Sequence, residues 1–265
     1  SSGFFVDDED KVCLLHTRLA VVDLSSNAEQ PMSIYDEAIT ISYNGEIYNY
    51  QELKLELEEN GFSFFGNSDT EVVIKAYAHF GIGFLQKIKG MFALAIWDRN
   101  KRRLVVARDA SGIKPLYYSI HNGVLKFASE IKALLPMIKG SVEINKGAIS
   151  KYLSFLWCPG SETPVSGVKK LGPGELIVWQ LDRPLKVSRW HIKDSSNYVG
   201  VNSPAEISST LSRKLGESVR SQLQADVPVG GLLSGGLDSS SLMVFAQKFD
   251  PEIPTTSPRN KILIV

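Results

Sequence analysis

The chain has 265 residues, 43% of them hydrophobic, with Lys+Arg and Asp+Glu both at 29 and a formal net charge of zero. That length supports one large core or two smaller ones, and the balanced charge argues against nucleic acid as the main partner. Two cysteines, Cys13 and Cys158, are too few for a disulfide framework and suit a reducing compartment; without a basic or apolar leader pattern or a membrane-length apolar run, a cytoplasmic protein with no membrane partner is expected.

Early in the chain, His16-Thr17-Arg18-Leu19-Ala20-Val21-Val22-Asp23 sets an arginine at the head of an apolar strand. Such an arginine is either a surface charge or a fork that grips a carboxylate through two parallel hydrogen bonds. Next comes Tyr43-Asn44-Gly45-Glu46-Ile47-Tyr48-Asn49. Asn-Gly alone reads as a hairpin turn. Glu46, Tyr48 and Asn49 are unusual company for a plain turn, and the Asn44 side-chain amide with the Gly45 N–H could instead form an oxyanion hole.

Tyr50–Asn60 is rich in Leu, Glu and Lys and reads as a helix capped by Gly61, although the Leu53-Leu55-Leu57 alternation also fits a strand. Ser68-Asp69-Thr70-Glu71 is a capping-box pattern that predicts a helix running to Phe80, before Gly81. Two apolar strands, Met91–Trp97 and Arg103–Ala107, flank a tight turn at 98–101. Leu116–Ile120 and Val124–Ala128 flank His121-Asn122-Gly123, which favours a type I′ hairpin. The near-continuous apolar runs predict strands buried on both faces, as when two sheets stack.

Residues Lys193–Pro204 are polar, turn-rich and lack periodicity, as a linker does. Beyond them Ile207, Leu211, Leu215 and Val219 recur every four residues, one stripe of a helix over Ala205–Leu223. A short apolar strand over Val229–Leu233 then meets Ser234-Gly235-Gly236-Leu237-Asp238-Ser239-Ser240, a small polar loop, and a helix over Ser241–Lys248. Adjacent glycines let backbone N–H groups approach an anion, a helix N-terminus adds its dipole, and the serines add donors, so the loop reads as a pyrophosphate cradle. It lacks Gly-Lys-Ser/Thr and the dinucleotide G-x-G-x-x-G. The bland alternative is a turn capped by Ser or Asp.

The string Ser234–Ser240 resembles the pyrophosphate loop of ATP pyrophosphatases, which cleave ATP between its α and β phosphates and transfer AMP to a substrate oxygen. Asp226–Leu233 before it narrows the resemblance to the asparagine synthetases. So do Arg18–Asp23, Gln30-Pro31-Met32, Asn44–Asn49, Ser68–Glu71, Gly90–Ala93, Arg108-Asp109, Gly112–Tyr118 and Ala128–Leu134, in that order. Residues 1–192 thereby look like the glutamine amidotransferase domain of glutamine-hydrolysing asparagine synthetases, 193–204 a linker, and 205–265 the start of their ATP-binding domain.

This resemblance implies an α/β protein: a four-layer α/β/β/α N-terminal-nucleophile sandwich followed by the first part of a Rossmann-like ATP-pyrophosphatase domain. It implies that Arg18, with the Leu19, Ala20, Val21 and Val22 backbone, binds the glutamine α-carboxylate. Asn44 and Gly45 would stabilise the oxyanion, and Gly45, Glu46 and Asp69 would hold the α-ammonium group. Asp69 could equally cap its helix. Leu232, Ser234, Gly235, Gly236, Leu237, Asp238, Ser239 and Ser240 would contact ATP, with Asp238 on Mg²⁺. The implied reaction amidates aspartate with ammonia released from glutamine, giving asparagine, glutamate, AMP and pyrophosphate; homodimers are common in the family.

The family's nucleophile is a cysteine at the mature N-terminus, whose own amino group is the base. Cys13, within Val12-Cys13-Leu14-Leu15, is expected to be a small buried hydrophobe, and Cys158 to lie in a loop. Ser1-Ser2-Gly3-Phe4 resembles an interior family segment, so the chain is expected to be an inactive fragment truncated at both ends. Pro251–Asn260 departs from the family's pattern, and Lys261–Val265 reads as a second strand or an unrelated tail. Arg108-Asp109-Ala110-Ser111 also departs from the common R-D-R/H-x. Two other readings stand beside this one: a related glutamine-dependent amidotransferase of polysaccharide or lactam synthesis, and a non-catalytic fragment.

Overall fold

The computed structural model describes residues 1–138, 142–180, 185–191 and 203–256. The chain forms two compact units, one of Ser1–Leu19 with Ser26–Ile192, the other of Ala20–Ser25 with Lys193–Val265. The linker expected at 193–204 lies, apart from its last two residues, outside the described residues, as do Lys261–Val265.

The first unit opens with a two-stranded antiparallel ribbon, β1 (Ser2–Asp7) and β2 (Val12–Thr17), followed by β3 (Met32–Ile34) and β4 (Ile39–Ile47). Two helices, α1 (Tyr50–Glu59) and α2 (Asp69–Phe80), lead to β5 (Gly90–Asp98) and β6 (Arg103–Arg108). Then come β7 (Tyr117–His121), β8 (Val124–Ala128), α3 (Ile131–Leu134), α4 (Lys146–Phe155), β9 (Val168–Lys170), β10 (Glu175–Gln180) and β11 (Lys186–Arg189). Six strands make one antiparallel sheet in the order β11-β10-β6-β5-β4-β3, and β8-β7-β9 make another.

The apolar runs have the double burial their composition predicts. On one face of β5, Phe92, Leu94 and Ile96 join Leu53 and Leu57 of α1 and Val73 and Tyr77 of α2. On the other, Ala93, Ala95 and Trp97 join Phe5 and Leu14 of the ribbon and Leu116. The layers are therefore helix, sheet and a second β layer, with α3 against β7 and β8.

The ambiguous leucines resolve as a helix. Leu53 and Leu57, four apart, are buried and Leu55 faces out, each buried leucine contributing roughly 2 kcal/mol. Ser68 caps α2 by accepting the Thr70 N–H at 3.1 Å. Glu71 does not complete a capping box. Its carboxylate accepts the N–H groups of Phe65 (3.0 Å) and Gly66 (2.9 Å) and pairs with Lys75, tying the preceding loop to the helix. The β7–β8 turn has positive φ at both Asn122 (51°) and Gly123 (75°), as type I′ requires.

One expectation fails for a reason of local geometry, and one open alternative is excluded. Cys13 is exposed, because the ribbon turns Val12 and Leu14 inward and Cys13 and Leu15 outward; an apolar run does not imply two covered faces. Asn44-Gly45 is no hairpin turn, since it lies inside the nine-residue β4, paired in continuous register with β5.

The second unit holds α5 (Pro204–Ser221), β12 (Gly231–Leu232), α6 (Leu237–Phe249) and β13 (Thr255–Thr256). β12 and β13 pair in parallel on either side of α6 in sequence, a βαβ arrangement. Its core is Met243, Ala246 and Ile253, with Val219, Leu223, Val229 and Leu233 against it. Of the α5 stripe, Val219 is covered, whereas Ile207 and Leu211 are exposed. Helix α6 begins at Leu237, four residues earlier than the sequence predicts. With Gly236 as an extended N-cap, Asp238, Ser239 and Ser240 belong to the first helical turn rather than to the loop.

Candidate functional site

Strand β4 is the platform of the first unit's site. Its period of two puts the side chains of Ser42, Asn44 and Glu46 on one face, all half-buried. The N–H groups of Tyr43, Gly45 and Ile47 all point to the edge away from β5. Tyr43 N–H meets Gln30 Oε1 at 2.7 Å and Ile47 N–H meets Asp69 Oδ2 at 3.1 Å, so the Gly45 N–H sits between two anchored positions. Gly45 must be glycine: a Cβ there would stand 2.8 Å from both Cα and Cβ of Phe92, its partner on β5. On the face, the Asn44 Nδ2 donates to Ser129 Oγ at 3.4 Å, which orients the amide from outside the strand. The Asn44 amide and the Gly45 N–H, the two donors expected for an oxyanion hole, are thus neighbours on one strand.

Asp69 is the first residue of α2 and is buried beside this edge, where its Oδ2 accepts the Tyr43 hydroxyl at 2.7 Å as well as the Ile47 N–H. The N-cap of α2 is Ser68, and the Asp69 carboxylate bonds the Thr70 N–H from within the first turn. Burial drives its pKa up, opposed by the Tyr43 hydroxyl, the Ile47 and Thr70 amides and the Arg18 charge, with a net rise. The Glu46 pKa is raised by burial and then by Asp69, with Lys114 opposing. The Asp69 charge thus adds to burial in keeping Glu46 from ionising freely. Such a pair favours a cation between them.

Arg18 follows β2 rather than heading a strand, because the chain leaves extended geometry after Thr17. It is half-buried and near enough to Asp69 to act on it electrostatically. Leu19 is 76% exposed. The structure brings Arg18, Asn44, Gly45, Glu46 and Asp69 into one unit; Ala20, Val21 and Val22 belong to the other, in a stretch where the Asp23 N–H donates to Asp226 Oδ2 at 2.7 Å.

Several supporting residues carry no sequence signal of their role. Gln30 braces Tyr43 and, through Nε2, Thr70 Oγ1 at 3.4 Å. Asn49 bonds the Lys87 carbonyl and the Lys89 N–H, fixing the approach to β5. Arg108 donates to the carbonyls of Gly112, Lys114 and Leu171, while the buried Asp109 accepts N–H groups from Phe92, Ser111, Ile113 and Lys114. This pair folds the 109–114 loop and delivers Lys114 towards Glu46. Gln30, Arg108, Asp109 and Ser129 all sit in motifs visible in the sequence, but their partners lie far along the chain.

In the second unit, Ser234 N–H and Oγ both meet Ser239 Oγ, at 3.3 and 2.9 Å, folding the loop back on the first turn of α6. Gly235 has φ +82° with open space beyond its α-carbon, so its backbone is accessible to a ligand. The first helical N–H to find a carbonyl is that of Ser240, on Gly236 at 3.1 Å. Open backbone donors, three hydroxyls and a helix N-terminus fit a pyrophosphate group. Among the described residues no three His, Cys, Asp or Glu side chains cluster as a metal site.

The stacked sheets with helices outside have the N-terminal-nucleophile fold. The solved glutamine phosphoribosylpyrophosphate amidotransferase of Bacillus subtilis matches with a TM-score of 0.51 at 21% identity, over 93% of this chain and 51% of that one. Residues 1–190 match the glutamine amidotransferase domain family, to which the chain belongs, and residues 210–259 match the asparagine synthase family. Among curated relatives, asparagine synthetase [glutamine-hydrolyzing] 1 of Bacillus subtilis is 38% identical over 258 residues, 97% of this chain and 40% of its own length. Amidase chry2 of Gibberella zeae is 36% identical over 242 residues, 91% of this chain and 35% of its own length. The chain thus spans well under half the length of these relatives.

Proposed function

We propose that the chain comprises the glutamine-binding domain (1–192), the linker (193–204) and the opening of the ATP-binding domain (205–265) of a cytoplasmic, glutamine-dependent asparagine synthetase. The observation that carries this reading is the buried Asp69 carboxylate, held beside Asn44, Gly45 and Glu46 and under the influence of Arg18. A zwitterionic amino acid needs one fixed cation and one or two fixed anions. Arg18 takes the α-carboxylate; Glu46, Asp69 and Gly45 take the α-ammonium group; Asn44 and Gly45 face the side-chain carbonyl and stabilise the tetrahedral oxyanion.

In the parent reaction the loop Ser234–Ser240, with the Leu232 backbone, holds ATP, whose cleavage activates the aspartate carboxylate for attack by ammonia. Asp238, one carboxylate beside phosphates, suits the way Mg²⁺ is usually bound. The amidase relative supports a second reading, in which the same glutamine site serves another carboxylate acceptor.

Cys13 faces outward on β2 and Cys158 donates to the Glu162 carbonyl. The groups around β4 are thus binding groups for glutamine. Calorimetric titration with L-glutamine tests this. Saturable binding is expected, and no binding refutes the glutamine site.

A further inference from the structure

Tyr43 stands next to the oxyanion residues in sequence, yet its side chain turns the other way. The ring is buried at 2% exposure and its hydroxyl donates to Asp69 Oδ2 at 2.7 Å. The Ile47 N–H takes the same oxygen at 3.1 Å. The Oδ2 oxygen is thus committed to the protein by two donors. The arrangement is a closed circuit: Gln30 bonds the Tyr43 N–H through Oε1 and the Thr70 hydroxyl through Nε2, and Thr70 is covalently joined to Asp69.

We infer that Tyr43 is a positioning residue for substrate recognition: by holding Asp69 Oδ2 it fixes the carboxylate as an ionised anchor whose Oδ1 receives the α-ammonium group of an L-amino acid. The inference rests on the reading of Asp69 as the ammonium anchor. An isolated buried carboxylate would take up a proton and lose its grip on a cation. A hydroxyl donor counters this because it bonds the charged form more strongly than the neutral one. Burial and the neighbouring Asp69 charge raise the Tyr43 pKa well above its ordinary value, so the phenol stays a donor wherever Asp69 titrates. The other groups acting on Asp69 are Arg18 and the Ile47 and Thr70 amides; Asp69 in turn acts on Glu46, which is itself near Lys114 and Tyr48.

The test uses the 265-residue chain and Y43F, which keeps the ring and deletes the hydroxyl. L-glutamine is titrated against 4-carbamoylbutanoate, the same molecule without its α-amino group, and Asp69 is titrated by carbon-13 NMR of its carboxyl. Y43F should weaken L-glutamine by about tenfold while leaving the des-amino ligand unchanged, the worth of one hydrogen bond to a charged group. The acid limb of glutamine binding and the Asp69 titration should both move to higher pH. Equal weakening of both ligands, or an unmoved Asp69 titration, overturns the positioning role. A raised Asp69 titration with unchanged glutamine affinity instead overturns Asp69 as the anchor, and the inference with it.

Discussion

The two units present their candidate ligand-binding groups by opposite means. In the first, the groups around β4 are fixed by buried neighbours: Asp69 is 6% exposed, Tyr43 2%, and each is held by bonds to other elements. In the second, residues 234–238 lie exposed and are shaped mainly by serine hydroxyls and one left-handed glycine. The difference follows from what does the binding. Charged side chains are costly to bury and must be braced before the ligand arrives, or they neutralise themselves. Backbone N–H dipoles carry no net charge, so a phosphate loop can wait open in water.

The comparison breaks most sharply at Gly45. Gly45→Ala forces a Cβ into the β5 backbone at Phe92, and should destabilise the first unit by roughly 3 kcal/mol, read as a lowered melting temperature together with lost glutamine binding. A variant melting like the parent would show that β4 and β5 are not closely locked.

Glu46 gives a smaller effect with a defined sign. Its folded-state pKa is raised, by burial and then by Asp69, so the empty site is most stable below the ordinary glutamate value and loses stability as pH rises through the folded one. Glu46→Gln should therefore melt higher than the parent at neutral pH, by roughly 1–3 °C given its partial exposure, and the gap should close as pH falls. A gap constant with pH would assign the effect to packing.

Ser239→Ala should do least. Losing one exposed hydroxyl that braces Ser234 should weaken pyrophosphate binding about fivefold and leave the first unit's melting untouched. A larger loss would mean that the loop depends on its braces as β4 does.

Much of the fold was legible in the sequence, because paired apolar strands, an Asn-Gly hairpin and a serine-capped helix are written locally. What was not legible is long-range. Asn-Gly prefers a turn by its own backbone chemistry, and only nine residues of pairing with β5 overrule it at Asn44-Gly45. Cys13 looked buried because alternation is invisible when both faces of a strand are apolar. The start of α6 was placed late because Asp and Ser suit both a loop and a first helical turn. Motif residues marked the site's chemistry, but not its braces, Gln30, Tyr43 and Ser129, whose partners are 13 to 85 positions away.

The alternation along β4 sets a rule for how this domain can change. Its face carries Asn44 and Glu46, and its free edge carries the amides of Tyr43, Gly45 and Ile47. Inserting or deleting one residue within the strand would exchange face for edge and dismantle both halves of the site together, even if every remaining residue were kept. The turns at 98–102 and 121–123 are free of that constraint. Lineages of this chain should vary in length at those turns and remain fixed in length from Ile39 to Ile47.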